Sequence, residues 1–113
     1  MILADVTVVE PDLIYLDPAR LGRVSDRGIE GPPALAIEVL SPTTAAADLG
    51  VKLQLSAKYG VLHYWIVDPD ARIIETYRLA GPTYEPGPRL DRSTPVALPP
   101  FLDLLLDPAS VWR

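Results

Sequence analysis

Thirteen prolines among 113 residues hold this chain to short segments, because proline fixes its own φ, carries no N–H for a β-ladder and ends a helix. They fall mainly at segment edges and in the second half, as turns between short elements require. Between them, Ile2–Val9 is rich in Val and Thr, Pro11 interrupts, and Leu13–Leu16 resumes an apolar run, which predicts one strand broken or bulged near Pro11. Asp17–Pro33 has no period and reads as a loop. Ala34–Ser41 predicts a buried strand with Ala34, Ala36, Glu38 and Leu40 on one face and Leu35, Ile37 and Val39 on the other. Ser41–Thr44 offers N-cap residues ahead of a helix running to about Tyr59, with Gly60 as its stop. Leu49, Leu53 and Ala57 form its core stripe, and Asp48, Lys52, Leu55 and Tyr59 adjoin it, so Lys52 borders the core. Leu62–Asp68 and Ile73–Leu79, joined across Asp68–Arg72, read as a hairpin. Residues 81–95 read as loop, and 96–108 as one more strand and a short helix, with Trp112 docking at the end. The order β, β, α, β, β and a small tail predicts a single α+β domain over residues 1–113.

Hydrophobic residues at 49% and charged residues at 22% are enough for a packed core. The net charge of −5 advertises no broad nucleic-acid footprint, although Arg20, Arg23, Arg27, Arg72, Arg78, Arg89 and Arg92 could still line one face. With no Cys, disulfide scaffolds, thiolate zinc sites and cysteine nucleophiles are excluded, and a single His excludes a multi-histidine metal site. The N-terminus lacks a basic region and meets Asp5 and Glu10 early, which fits neither a signal peptide nor a membrane span and predicts a cytoplasmic protein with no membrane partner.

Glu38 demands an explanation, since a carboxylate in the middle of a buried strand costs several kcal/mol unless it is paired, protonated or metal-bound. Asp12, directly after Pro11, raises the same question. Two carboxylates from adjacent strands with Lys52 on the following helix could form an oxygen-rich pocket for Mg²⁺ or Mn²⁺ beside one cation, the kit for phosphodiester hydrolysis. The plain alternatives stay open. Glu38 could be a partly exposed carboxylate paired with an arginine, Asp12 a turn or bulge residue, and Lys52 the i,i+4 partner of Asp48, worth about 0.3–0.5 kcal/mol. Glu10, two residues from Asp12, would share its face as an auxiliary ligand; Tyr59 and His63 read as structural, and Asp68 and Asp70 as turn residues.

Val9–Leu16 (VEPDLIYL), Pro33–Pro42 (PALAIEVLSP) and Lys52–Arg72 (KLQLSAKYGVLHYWIVDPDAR) resemble, in order, the signature blocks of the Uma2 family of bacterial endonucleases, within the PD-(D/E)XK or restriction-endonuclease-like superfamily. The resemblance implies an α/β (α+β) fold with a mixed central sheet, a flanking helix and the N-terminal helical part missing. It implies that Asp12 and Glu38 hold the divalent ion, that Lys52 is the basic catalytic member, and that nucleic acid, DNA in preference to RNA, is the substrate. Two departures accompany it. The superfamily's lysine usually lies two residues after the acid, where this chain has Leu40, and the region ahead of Val9 is short. A missing layer would expose apolar surface that a homodimer could cover. The alternative implied by these departures is an inactive nuclease-fold domain serving oligomerisation or interaction.

Overall fold

The structure, a computed structural model, describes residues 2–4, 7–8, 13–16, 20–21, 24–25, 28–29, 31–42 and 46–112. In chain order the elements are β1 (Ile2–Ala4), β2 (Thr7–Val8), β3 (Leu13–Tyr15), β4 (Val24–Ser25), β5 (Gly28–Ile29), β6 (Leu35–Val39), α1 (Ala46–Lys58), β7 (His63–Asp68), β8 (Ile73–Ala80), β9 (Thr83–Leu90), β10 (Val96–Ala97), β11 (Leu105–Leu106) and α2 (Pro108–Val111).

Five of these make one sheet in the order β3-β6-β7-β8-β9. Strands β6 and β7 run parallel, Leu35 against His63 through Val39 against Val67. Parallel neighbours need a crossover long enough to carry a helix over the sheet, and α1 is that crossover. The remaining pairs are antiparallel, so the sheet is mixed. Gly60, at φ 86°, ends the helical segment as expected, because only glycine takes the left-handed conformation without strain. Of the N-cap candidates, Thr43 and Thr44 lie outside the described residues.

The alternation expected of residues 34–40 divides the interior in two. Ala36 packs with Val61, Tyr64 and Ile66 beneath Leu49 and Leu53 of α1. Leu35 packs on the opposite side with Trp65, Ile74, Leu90 and Leu98, joined by Phe101, Leu106 and Trp112. The C-terminal segment therefore covers the face that α1 does not. Two indole groups fasten it: Trp65 Nε1 donates to the Pro99 carbonyl at 2.7 Å, and Trp112 Nε1 to the Asp91 carbonyl at 3.0 Å.

Three expectations need correcting. Ile2–Val8 does not run on toward Leu13 as one interrupted strand: β1 and β2 pair with each other, Ile2 against Val8 and Ala4 against Thr7. An apolar, β-branched run has the same pattern whether it stays single or folds back on itself. Within Asp17–Pro33, read as loop, β4 and β5 form a short antiparallel ribbon. Residues 83–90, also read as loop, are an eight-residue strand. Its Pro86 and Pro88 are tolerated because β9 is at the sheet edge, where the outer row of donors has no ladder to serve. Among the described residues, no helix is long and apolar enough to cross a membrane.

Candidate functional site

The helix-side face of β6 carries Glu38 into the interior. Its neighbours along the strand on that face, Ala36 and Leu40, both belong to the α1-side core, and Glu38 itself is only 5% exposed. Lys52 lies on α1 between Leu49 and Leu53, whose side chains close the core, so its stem starts at the core edge and its ammonium reaches inward. Lys52 Nζ donates to Glu38 Oε1 at 2.9 Å. Helix and strand thus bring together two residues fourteen positions apart. Leu40 serves the core.

The pair is incomplete. An ionised carboxylate can accept at both oxygens, yet Glu38 Oε2 is buried and has no hydrogen-bond partner among the described residues. A carboxylate oxygen left bare in the interior forfeits its hydration without return. The same holds for Ser56 Oγ, fully buried one turn beyond Lys52 and also without a hydrogen-bond partner among the described residues. Expectations from sequence did not include Ser56; a small hydroxyl within a helical run gives no periodic signal.

Beside this pair, a cavity of about 280 Å³ opens between α1 and the sheet, with Leu49, Leu53 and Ile66 as apolar lining and Asp68, Glu75 and Tyr77 as polar lining. Tyr77 donates its hydroxyl to Glu75 Oε2 at 2.8 Å. Burial, then the hydrogen bond to Glu75 and its charge, raise the Tyr77 pKa above the ordinary phenol value. Glu75 also was not singled out from sequence, although its place in the middle of the IIETYRL strand parallels that of Glu38 in its own strand.

Asp12 and Glu10 lie outside the described residues. Asp68 acts as expected of a turn residue, its Oδ1 accepting the N–H groups of Asp70 and Ala71 at 3.1 Å each. Tyr59 packs against Lys58, whose ammonium is 5.4 Å from the ring centroid. His63 is half-buried, and burial followed by the charge of Arg78 lowers its pKa below 6.5. The alternative of an exposed Glu38 paired with an arginine does not hold: the residue is buried and its partner is Lys52. Among the described residues, no three Asp, Glu or His side chains gather as a complete metal shell would require.

The sequence matches the Uma2 family, described as "Putative restriction endonuclease", over residues 3–109. No curated protein matches it. Among solved structures, a "putative nuclease belonging to DUF820" from Anabaena variabilis ATCC 29413 superposes with a TM-score of 0.70 at 24% identity, covering 92% of this chain and 59% of that one. This likeness shows a shared fold, a mixed sheet with a flanking helix. The present chain spans about three-fifths of that relative's length.

Proposed function

The chain belongs to the Uma2 family, and on that premise we propose that it is a nuclease hydrolysing phosphodiester bonds of nucleic acid, DNA in preference, with Mg²⁺ or Mn²⁺ as cofactor. One observation carries the proposal: a buried carboxylate, Glu38, held at one oxygen by Lys52 and, among the described residues, bare at the other. A hard oxygen without a protein donor suits a hard dication, which carboxylates bind in preference to softer ligands. Glu38 and Asp12 would hold the ion, and it would supply Lewis-acid polarisation of the phosphate and a more acidic water.

The chain's own groups have separate tasks. Glu38 Oε1 fixes the position of Lys52 Nζ, one of whose three N–H bonds is thereby used. The others remain to donate to a non-bridging phosphate oxygen or to orient the attacking water, aimed at charge that develops only in the transition state. Leu49 and Leu53 pack on the core beside the pair and lower the local dielectric, which strengthens both interactions. Purified protein is incubated with plasmid and single-stranded DNA in Mg²⁺ or Mn²⁺, beside Glu38→Ala and Lys52→Met. Cleavage is expected from the parent chain and at least 100-fold less from each variant, the scale on which removing a catalytic electrostatic group acts. Equal cleavage by the parent and Glu38→Ala ends the proposal.

A second reading rests on the same 2.9 Å contact: an ion pair closed on itself in an inactive domain that acts by oligomerisation or interaction. It predicts no heat of Mn²⁺ binding in titration calorimetry, whereas the nuclease reading predicts a site that Glu38→Gln abolishes.

A further inference from the structure

Three arginines, Arg72, Arg89 and Arg92, line one cleft of about 390 Å³ where the β7–β8 turn meets the end of β9. In a chain of net charge −5, this gathering of cations stands against the overall balance. Asp91 is the one carboxylate among the described residues of the lining; the N–H groups of Ser93 and Thr94 and, less, the charge of Arg89 hold its pKa below the ordinary carboxylate value, so it offsets one of the three cations. Its Oδ1 accepts the N–H groups of Ser93 at 2.8 Å and Thr94 at 3.0 Å and the Ser93 hydroxyl at 3.2 Å. No carboxylate among the described residues makes a salt bridge to any of the three arginines. Arg72 moreover holds φ 56°, the left-handed region, where glycine would sit without strain. An arginine kept at a position that favours glycine points to use of its side chain.

The cleft has a fixed relation to Glu38. Glu38 faces Ile66, Ile66 faces Glu75, and Glu75 faces Arg89, so one row of residues crosses the sheet from the carboxylate to the cleft. Directly opposed residues share a face. Three inter-strand steps of about 4.8 Å span about 14 Å, roughly the rise of four base pairs at 3.4 Å each. Resting on the nuclease reading of Glu38, we infer that Arg72, Arg89 and Arg92 form a phosphate-binding cleft that grips the backbone of duplex DNA about four base pairs from the point of attack. Guanidinium groups suit this task because they present forked donors to phosphate oxygens. The contact carries no base readout and fixes register alone.

Binding of a fluorescent duplex is measured in EDTA, so that cleavage does not intervene, over a series of salt concentrations. Arg72→Gln, Arg89→Gln and Arg92→Gln are each expected to make the log affinity against log salt slope shallower by about one, and the triple variant to bind at least tenfold more weakly at low salt. Arg78→Gln, toward the far end of β8, leaves the slope unchanged. Arg72→Gly separates binding from folding: it is expected to melt no lower than the parent chain and to bind as weakly as Arg72→Gln. Competition with inorganic phosphate distinguishes the source of the anion. Capture of free phosphate without duplex binding overturns the inference, as does a duplex slope indifferent to all three arginines. Glu38-dependent cleavage with unchanged slopes would remove the cleft and leave the nuclease reading. Arginine-dependent duplex binding without cleavage would do the reverse.

Discussion

Lys52 neutralises a carboxylate that has little access to water, and this makes the two members of the pair unequal to mutation. Lys52→Met leaves the Glu38 carboxyl buried with neither oxygen hydrogen-bonded among the described residues, and is expected to destabilise the fold by about 1–3 kcal/mol. Adding Glu38→Leu should recover part of that loss, since an apolar pair escapes the desolvation cost. Urea unfolding of the two variants checks the order; a double variant weaker than Lys52→Met alone contradicts it. His63 supplies a pH dependence whose sign follows from burial and then from Arg78, both of which favour the neutral ring. Its folded pKa is below the unfolded value of about 6.5, so the unfolded chain takes up the proton first. Stability should be unaffected above that pH and fall as pH drops from about 6.5 through the folded pKa. His63→Gln should flatten this part of the curve in urea midpoints measured between pH 7.5 and 5.5. Glu38 was legible in the sequence because a carboxylate inside an apolar run has no propensity explanation, and Lys52 because it fell beside the core stripe. Glu75 and Ser56 were not: a polar residue in a hairpin strand and a serine in a helix are both ordinary until burial is known.

Strand β9 shows what local chemistry conceals at the level of elements. Pro86-Gly87-Pro88 spells a loop, yet the segment pairs with β8, with its register shifting between Glu75 and Tyr77. Thr76, beside that irregularity, donates its hydroxyl to the Pro88 carbonyl. A Cβ at Gly87 would meet Thr76 Oγ1 at 2.7 Å. The hydroxyl cannot withdraw without giving up its bond, so Gly87→Ala is expected to cost about 1–3 kcal/mol. In the Thr76→Ala background the same change should cost less, a coupling that a double-mutant cycle reads directly; strict additivity would refute the contact. The β6–α1–β7 unit was legible in full outline because period two, period 3.6 and a glycine stop each appear once and in order. The folding back of Ile2–Val8 was not, since pairing partners are a long-range property that a single apolar run does not encode.

For the whole molecule, the sheet divides chemistry from cover. Glu38, Lys52, Glu75 and Tyr77 lie on the α1 side, and the C-terminal segment seals the other with Phe101, Leu106 and Trp112. This division was legible in the alternation of Leu35 with Ala36 and in the terminal tryptophan, whereas the anchor of that tryptophan on Asp91 was not, because Asp91 fell in a stretch read as loop. Both tryptophans belong to the sealed side. Indole emission is therefore a reporter of that half alone, while backbone dichroism samples every strand. If the tail and sheet melt as one cooperative body, the two optical signals should trace a single curve in guanidinium; an earlier fluorescence transition would reveal the tail peeling away while the strands beneath it persist.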